Sequence, residues 1–367
     1  MSKRQSIVFC ILYAAVIVIF GLAIFLLPKN RILVRENRVR ADFPALSVES
    51  LLDKSFFRGF SEFCSDSFPL RERLLALNSS LELGFGKLES NGVMKGKNQN
   101  LIKRHEYNDF ERLKSNMDAV SGLLDYADKK GAETVFFCAP GTIDVLSEYC
   151  PLPFELSDRR AVWRYADGAV NINAMLRKKA GEGEYVCYKT DHHWTSLGAY
   201  YAYCEIGKEL GYTPYPISDF RIETVSDDFL GTTYSSVLFF GTSPDKIEAF
   251  RYDGDTDITV SDPSTGESLV LYDDSALEGG SKYNFFLGGN RGRLKIESGK
   301  PKLVIIKDSF ANSLIPLLAR HYDVEAIDPR YLRKPVEEIL EEIYIRGERP
   351  AMLILFGIDT LTGNVGL

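Results

Sequence analysis

The first hydrophobic run of the chain covers residues 7–27 and contains no charged side chain. Pro28, Lys29, Asn30 and Arg31 follow it at once. About 20 apolar residues are the length that an α-helix needs to cross a bilayer. The run is long for the apolar part of a signal peptide, and it lacks a clear cleavage site of small residues. We predict an uncleaved membrane anchor over residues 1–28, with a cleaved signal peptide as the alternative.

The charges that flank this run leave its orientation open. Two basic residues precede the run, whereas five follow it closely, namely Lys29, Arg31, Arg35, Arg38 and Arg40. Counted strictly, the positive-inside rule disfavours an exported C-terminal part. A short basic segment before a hydrophobic run is, however, also the usual form of an export signal.

The pattern after the anchor changes twice. Residues 29–106 contain few long apolar runs, and we interpret them as a membrane-proximal segment. From residue 107 onward, helical patterns alternate with short apolar strands, which is typical of an α/β domain that extends to residue 367. Residues 212–299 interrupt this alternation with glycines, aspartates and short alternating segments, and they predict a β-rich insertion or cap.

The alternation predicts a sheet that is mostly parallel and covered by helices on both faces. Apolar runs predict strands at 134–139, 302–306, 324–327 and 352–356, and a further short strand at 185–188. In open α/β sheets, ligands bind beyond the carboxyl ends of the strands. Side chains that follow these strands are therefore the first candidates for a functional site.

Composition excludes one class of function. The chain has 367 residues, of which 45% are hydrophobic, so it can bury a substantial core. Its formal net charge is -7, which leaves no basic field to attract nucleic acid. We therefore expect no nucleic-acid partner.

Asp191, His193 and Ser309 are the candidate catalytic residues. Side chains two positions apart on an extended backbone point to the same side, so Asp191 can hold the imidazole of His193. Ser309 follows the apolar run 303–306 where a helix begins, and its N–H and the neighbouring N–H groups would be free to bind an oxyanion. The three residues would form a hydrolase-like triad. The alternative is that Ser309 is a helix cap and that Asp191 and His193 form a buried polar pair.

A metal site is a less favoured interpretation of the same run. His192 could bind a metal together with its two neighbours, but such a site needs more ligands. His105 and His321 have no motif around them. We therefore predict neither a metal nor a cofactor.

Further candidates for oxyanion or substrate contacts lie in loops that the sheet argument places near the triad. Asn290 and Gly289 could supply an oxyanion donor, or could form an ordinary turn. Asp359 follows the last strand, and its alternative role is a plain turn. Arg330 could bind an anionic group or simply be solvated, and Trp194 could be a sugar platform or a core residue.

The run Asp191-His192-His193-Trp194 resembles the signature of the DHHW protein family. The resemblance extends over nearly everything after the anchor. Its other matching features are Glu36-Asn37-Arg38, Asp66-Ser67-Phe68-Pro69-Leu70-Arg71, Asn91-Gly92-Val93, Gly231-Thr232, Gly288-Gly289-Asn290, Lys307-Asp308-Ser309-Phe310-Ala311-Asn312-Ser313 and Asp328-Pro329-Arg330-Tyr331. That family is similar to the SGNH-hydrolase-like domains of alginate O-acetyltransferases.

The resemblance implies a three-layer, flavodoxin-like α/β fold in which the order of the SGNH motifs is permuted. Asp191 and His193 match the Asp-x-His block of those domains, and Ser309 matches their nucleophilic serine. Where an SGNH esterase has Gly-x-Asn-Asp, this chain has Gly357-Ile358-Asp359-Thr360 without an asparagine. The resemblance therefore does not identify the oxyanion donors.

The resulting functional hypothesis is an O-acyltransferase, with acetyl as the expected group, anchored in the cell membrane by one helix and facing away from the cytoplasm. Its partners would be an acyl donor and a cell-surface or secreted polysaccharide. A membrane protein that exports acyl groups could be a further partner. Two alternatives stay open. One is an acetyl esterase that uses the same triad, and the other is a non-catalytic scaffold for polysaccharide or cell-wall assembly.

Overall fold

The computed structural model describes residues 3–33, 38–104, 110–151, 157–166, 168–345 and 349–367. Glu36, Asn37, His105 and the predicted boundary between residues 106 and 107 lie outside these ranges. The chain divides into two compact units. The first contains residues 1–91 and 235–242, and the second contains residues 92–234 and 243–367.

The first unit begins with the predicted apolar helix, α1, at Lys3–Leu26. This helix is long and apolar enough to cross a membrane, although a signal sequence would pass the same test. Short strands and three helices follow, namely β1 (Ile32–Leu33), β2 (Arg38–Val39), α2 (Val48–Leu52), α3 (Ser55–Asp66), α4 (Arg71–Gly84) and β3 (Glu89–Ser90).

The second unit contains the α/β elements. They are β4 (Val93–Lys95), β5 (Leu101–Lys103), α5 (Phe110–Lys129), β6 (Thr134–Ala139), α6 (Thr142–Val145), α7 (Ser157–Tyr165), α8 (Asn173–Gly181), α9 (Ser196–Glu209), β7 (Arg221–Phe229), α10 (Thr232–Ser235, which ends at the first residue of the 235–242 segment), β8 (Asp245–Arg251), β9 (Thr259–Asp262), β10 (Glu267–Leu269), β11 (Arg293–Glu297), β12 (Lys302–Lys307), α11 (Ile315–Leu318), β13 (Asp323–Ile327), α12 (Val336–Tyr344), β14 (Ala351–Gly357) and α13 (Ile358–Leu361). Four of the predicted strands, at 134–139, 302–306, 324–327 and 352–356, are confirmed as β6, β12, β13 and β14.

A seven-stranded sheet in the order β10-β9-β11-β13-β12-β14-β6 forms the centre of the second unit. Strands β13, β12, β14 and β6 are parallel to one another. Because parallel strands share a carboxyl edge, the loops after β6, β12 and β14 meet at the same edge of the sheet.

Hydrophobic side chains cover both faces of this sheet. Along β6, Phe137 and Ala139 join one buried cluster, whereas Phe136 and Cys138 join another. Successive side chains of a strand point to opposite faces, which explains this division. Helices α8, α9 and α11 contribute to the first cluster, and α5, α7 and α12 contribute to the second. The result is two helical layers around one sheet.

The sheet is mixed: four of its strands are parallel to one another, as predicted, and the other three are antiparallel. Strands β9, β10 and β11, which lie in the predicted insertion 212–299, pair antiparallel with their neighbours and extend the main sheet. Strands β7 and β8 form a separate antiparallel pair. The insertion is β-rich as expected, but part of it completes the central sheet, because the edge of β13 offers unpaired backbone groups.

The predicted strand at 185–188 is also absent. This segment pairs only through isolated contacts, with Cys187 opposite Trp194 and the Tyr188 N–H bonded to the His193 carbonyl at 3.2 Å. The chain therefore folds back on itself around Asp191. A tight loop delivers the Asp-x-His pair, rather than the exit of a sheet strand.

Candidate active site

Ser309 lies at the carboxyl edge of the central strand β12, as the first residue of a short 3₁₀-helical turn over Ser309–Ser313. Asp308 caps this turn, since its Oδ1 accepts the Phe310 N–H at 2.9 Å. Its Oδ2 accepts the Gly357 N–H at 2.8 Å, which ties the turn to the end of β14. A Cβ at Gly357 would lie 2.6 Å from the Phe310 ring, so only glycine allows this approach.

The loop that carries Asp191 and His193 brings both side chains to Ser309. The Ser309 Oγ is 2.8 Å from Nε2 of His193, and Nδ1 of His193 is 2.5 Å from Oδ1 of Asp191. A carboxylate can only accept, so His193 carries its proton on Nδ1 and its Nε2 accepts the Ser309 hydroxyl. The three side chains are buried, and they are linked in the order that a nucleophile, a base and an orienting carboxylate require.

Asp191 is held by more donors than His193 alone. Its Oδ2 accepts the N–H and the hydroxyl of Thr232 at 2.7 and 2.9 Å, and its Oδ1 also accepts the His193 N–H at 3.0 Å. Burial acts to raise the pKa of Asp191, but the positive charge that His192 and His193 can carry and these hydrogen bonds lower it well below its ordinary value. Asp191 therefore stays ionised, as an orienting carboxylate must.

Aromatic rings fix the plane of the His193 imidazole. The Tyr283 ring stacks on it with 4.0 Å between centroids, and the Phe310 ring lies edge-on at 5.0 Å. The Tyr283 hydroxyl donates to the Ser309 carbonyl at 3.2 Å. The same tyrosine thus contacts both the His193 ring and the backbone of Ser309.

The donors available to an oxyanion are fewer than the sequence predicted. Within the described part of the chain, the Ser309 N–H has no acceptor, as expected for the first residue of a helical turn. The next two N–H groups, of Phe310 and Ala311, are bonded to Asp308. The expectation of several free neighbouring donors was wrong, because the Asp308 cap uses them.

The loop that contains Gly289 and Asn290 is tied to the turn after Ser309. The Gly289 N–H bonds the Phe286 carbonyl at 3.1 Å, so this amide is not the free oxyanion donor that the sequence suggested. Asn290 Oδ1 accepts the Asn312 side-chain amide at 2.9 Å, and Asn312 in turn accepts the buried Lys307 ammonium at 2.6 Å. The amide nitrogen of Asn290 is therefore oriented away from Asn312.

Arg330 and Asp359 are engaged in ion pairs. Arg330 binds both oxygens of Asp328, with distances of 2.8 and 2.7 Å. Asp359 pairs with the buried Arg159, which also binds Asp144 through two nitrogens. Each residue therefore has a defined ion-pair partner at this edge of the sheet, and its contact with a substrate stays a prediction.

Trp194 and His192 point in different directions from the same run. Trp194 is 1% exposed, and its Nε1 donates to the Phe310 carbonyl and the Ser313 hydroxyl, both at 3.1 Å. A side chain so deeply buried cannot stack on a sugar, so the platform role was wrong. The His192 side chain is 39% exposed, and its Nδ1 is 2.7 Å from the Thr232 hydroxyl.

The ligand atoms of Asp191, His192 and His193 lie within 4.8 Å of one another, which is close enough for a metal ion. The hydrogen bonds already described use both ring nitrogens of His193 and both oxygens of Asp191. A metal would have to displace Ser309 or Thr232 from these atoms. The geometry fits a hydrogen-bonded triad better than a metal centre.

Three contributors to the site were not predicted from the sequence. Thr232 contacts Asp191, and Tyr283 contacts His193. Both are distant in sequence from these partners, so only the structure shows that they belong to the site. Asp308 carried a local signal, since an aspartate immediately before a helical turn is a common cap.

Comparison with known proteins confirms the family resemblance. Residues 161–327, which include Asp191, His193 and Ser309, match the description "DHHW protein". No curated protein sequence matches the chain.

Three solved structures are similar to this chain. A DHHW family protein from Eubacterium siraeum shares 21% identity with a TM-score of 0.57, covering 75% of this chain and 94% of that one. Bacillus cereus PatB1, in a structure with a sulfonyl adduct, shares 18% identity with a TM-score of 0.59, covering 75% and 98%. The O-acetyltransferase domain of Pseudomonas putida AlgJ shares 14% identity with a TM-score of 0.47, covering 74% and 93%. The first two likenesses show that the mixed α/β fold is shared.

Proposed function

We propose that this chain is a membrane-anchored O-acyltransferase of the SGNH-like serine type with permuted motif order. Its acetyl or related acyl group would be transferred to a cell-surface or secreted polysaccharide on the side of the membrane away from the cytoplasm. Ser309 is the nucleophile, His193 the general base and acid, and Asp191 the orienting carboxylate. The hydrogen bond of 2.8 Å between Ser309 Oγ and His193 Nε2 is the observation that carries this proposal.

In the first half-reaction, His193 Nε2 takes the hydroxyl proton as Ser309 Oγ attacks the carbonyl carbon of the acyl donor. The carbonyl oxygen becomes an oxyanion, for which the Ser309 N–H is the available backbone donor. The tetrahedral intermediate then collapses, and the donor's leaving group receives the proton from the imidazolium. The product is an acyl ester on Ser309.

In the second half-reaction, a sugar hydroxyl takes the place of the leaving group. His193 removes its proton, the alkoxide oxygen attacks the acyl ester, and Ser309 is released with its proton restored from His193. Asp191 stabilises the imidazolium in both halves and remains ionised throughout. Water in place of the sugar would give the esterase reaction, so the occupant of the acceptor position decides between transfer and hydrolysis.

Covalent trapping tests the nucleophile. A sulfonyl fluoride or a fluorophosphonate is suitable, since PatB1, which has the same fold, has been obtained with a sulfonyl adduct. We expect one adduct, located at Ser309 by mass spectrometry and lost in His193→Ala. Ser313→Ala is the matched control, because Ser313 is a buried serine of the same turn that does not contact His193. An adduct that persists in Ser309→Ala would reject the assignment.

The acceptor is tested with an activated acetyl ester, with and without oligosaccharides. The transferase predicts acetylated oligosaccharide and a matching decrease in free acetate. Release of acetate that no glycan changes would instead indicate the esterase. Normal glycan acetylation in cells that carry Ser309→Ala would favour the scaffold, since a binding role does not need the hydroxyl.

A further inference from the structure

Aromatic residues that follow the anchor pack against the last third of α1. The Phe20 ring stacks on Phe68 with 5.3 Å between centroids, and Phe25 contacts Phe63 at 5.8 Å. Phe43 joins the same cluster, 5.3 Å from Phe63. Phe63 packs beside Phe25 near the end of α1, whereas Phe68 packs beside Phe20, closer to the middle of that helix. Between residues 63 and 68 the chain therefore runs back along α1.

These contacts give a depth relative to a bilayer. The 24 residues of α1 span about 36 Å, whereas the hydrocarbon core of a bilayer is about 30 Å thick. Phe20 is six residues from the end of α1 at Leu26, or about 9 Å along the axis. With α1 centred across the bilayer, Phe20 and the Phe68 ring beside it lie about 6 Å inside the hydrocarbon.

Helix α4, which begins three residues after Phe68, exposes most of its leucines together with Arg73 and Asn78 and buries two small residues. Four leucines, at positions 74, 75, 77 and 81, are 41–47% exposed, whereas Ala76 and Ser79 are buried. A helix on the surface of a water-soluble protein normally buries its large apolar side chains and exposes the polar ones. Leu74, Leu77 and Leu81 share one face of the helix by their spacing.

The exposed apolar surface continues on both sides of the aromatic cluster. Leu70 and Phe85 extend the α4 face, and they are 60% and 85% exposed. Before α3, the exposed apolar side chains include Leu46, Val48, Leu51 and Leu52. Such an accumulation of exposed apolar side chains in one segment is typical of an interaction surface.

We propose that residues 43–85 form an interfacial collar, a group of short helices that enters the bilayer beside the anchor and presents the leucines of α4 to lipid acyl chains. The lipid is the occupant that both observations favour. Phe68 lies at hydrocarbon depth whenever α1 spans the membrane, and α4 starts from that depth with its leucines outward. A water-soluble partner cannot reach such a position.

The collar rests on the proposed function in one respect only: the apolar helix α1 must be retained as a membrane anchor. Burying about four leucines and two phenylalanines in lipid strengthens attachment beyond that of the single span, because their apolar surface leaves water for hydrocarbon. The collar would also fix the height of the chain above the membrane. It needs no catalytic chemistry, so its test and the trapping of Ser309 can fail independently.

Quenching by brominated phosphatidylcholine tests the collar in the full-length protein reconstituted into phosphatidylcholine vesicles. Leu81→Trp places a reporter on the α4 face, and Ile222→Trp on β7 is the matched control, because both native side chains are 47% exposed. The emission of the two native tryptophans is subtracted with the unsubstituted protein. We expect the Leu81→Trp emission to shift to shorter wavelength and to lose intensity with bromolipid, while Ile222→Trp does neither.

Equal quenching of the two reporters would overturn the collar. So would efficient disulfide cross-linking between copies that carry Leu77→Cys, since this face would then bind a second copy instead of lipid. Leu77→Gln with Leu81→Gln is the second variant. Lipid contact predicts that it loosens vesicle attachment under alkaline extraction while Ser309 trapping is retained; unchanged attachment counts against the proposal.

Discussion

Thr232 places both its backbone N–H and its hydroxyl on the same oxygen of Asp191, Oδ2, at 2.7 and 2.9 Å. The other oxygen, Oδ1, is thereby left to the His193 ring and backbone. Because the single hydroxyl proton of Thr232 goes to Asp191, the nearby His192 Nδ1 must donate to the Thr232 oxygen. One threonine therefore orients the carboxylate and sets the tautomer of the adjacent histidine.

Removing this hydroxyl should weaken the site without removing any member of the triad. Thr232→Val keeps the shape and the backbone donor but loses one hydrogen bond to a buried carboxylate, which costs about 1.5–3 kcal/mol of unfolding free energy. We expect a lower kcat for an acyl ester as well. Thr232→Ser, which keeps the hydroxyl, should behave like the native protein in denaturation and kinetics. Equal behaviour of the valine and serine variants would contradict this role.

Stability should depend on pH through Asp191 in a defined direction. The pKa of this carboxyl is lowered from 3.8 in the folded protein, so the unfolded chain binds its proton first as the pH falls. The contribution of Asp191 to stability is present above pH 3.8 and is lost as the pH falls below that value. We expect the difference in melting temperature between the native protein and Asp191→Asn to shrink over this acid range. A difference that stays constant would show that the carboxylate is not stabilised by folding.

The contact between Gly357 and Phe310 should be sensitive to one methyl group. A Cβ at Gly357 would lie 2.6 Å from the Phe310 ring, and this overpacking costs about 1–3 kcal/mol. Since Phe310 follows Ser309, the proposed nucleophile, Gly357→Ala should also lower kcat. Gly122→Ala in α5 is the control, because a Cβ there meets nothing within 4 Å, and it should stabilise the helix by about 0.5–1 kcal/mol. Calorimetry and ester kinetics on both variants make the comparison, and an unaffected Gly357→Ala would refute it.

Trp194→Phe separates a structural role from a substrate contact. The change removes the indole donor to the Phe310 carbonyl and to the Ser313 hydroxyl, of which the hydroxyl still accepts from the Tyr283 hydroxyl at 3.3 Å. Loss of a donor to a buried carbonyl costs about 1–3 kcal/mol. We expect lower stability and lower kcat with an unchanged KM for the glycan acceptor. A raised KM with native kcat and stability would mean that the indole contacts the sugar after all.

Local patterns in the sequence predicted much of the α/β architecture. Strands β6, β12 and β14 follow directly from short apolar runs, because a strand buried on both faces is mostly apolar. Strand β13 was predicted from a shorter pattern that contains the partly buried Glu325. The same local patterns did not predict that the sheet is mixed. Pairing of β9 and β11 with the sheet depends on which edge is free, and no local pattern encodes that choice.

The candidate site was likewise predictable from local patterns only in part. The period of two suggested that Asp191 and His193 face one side, and the apolar run before Ser309 suggested the start of a helix. The roles of Thr232, Tyr283 and Asn312 depend on hydrogen bonds to residues that are 41, 26 and 22 positions away in sequence, respectively. Such contacts are set by packing and leave no signal at the individual positions.

The sequence by itself determined the long apolar helix near the N-terminus, the parallel strands, and the identity of a serine, a histidine and an aspartate in runs typical of one family, since each depends on neighbouring residues alone. Only the tertiary structure decided that the serine hydroxyl meets the imidazole, that Asp308 occupies the expected oxyanion donors, that Trp194 is buried, and that α4 turns its leucines outward. Each of these depends on which distant segments share the same volume, and long-range packing fixes that.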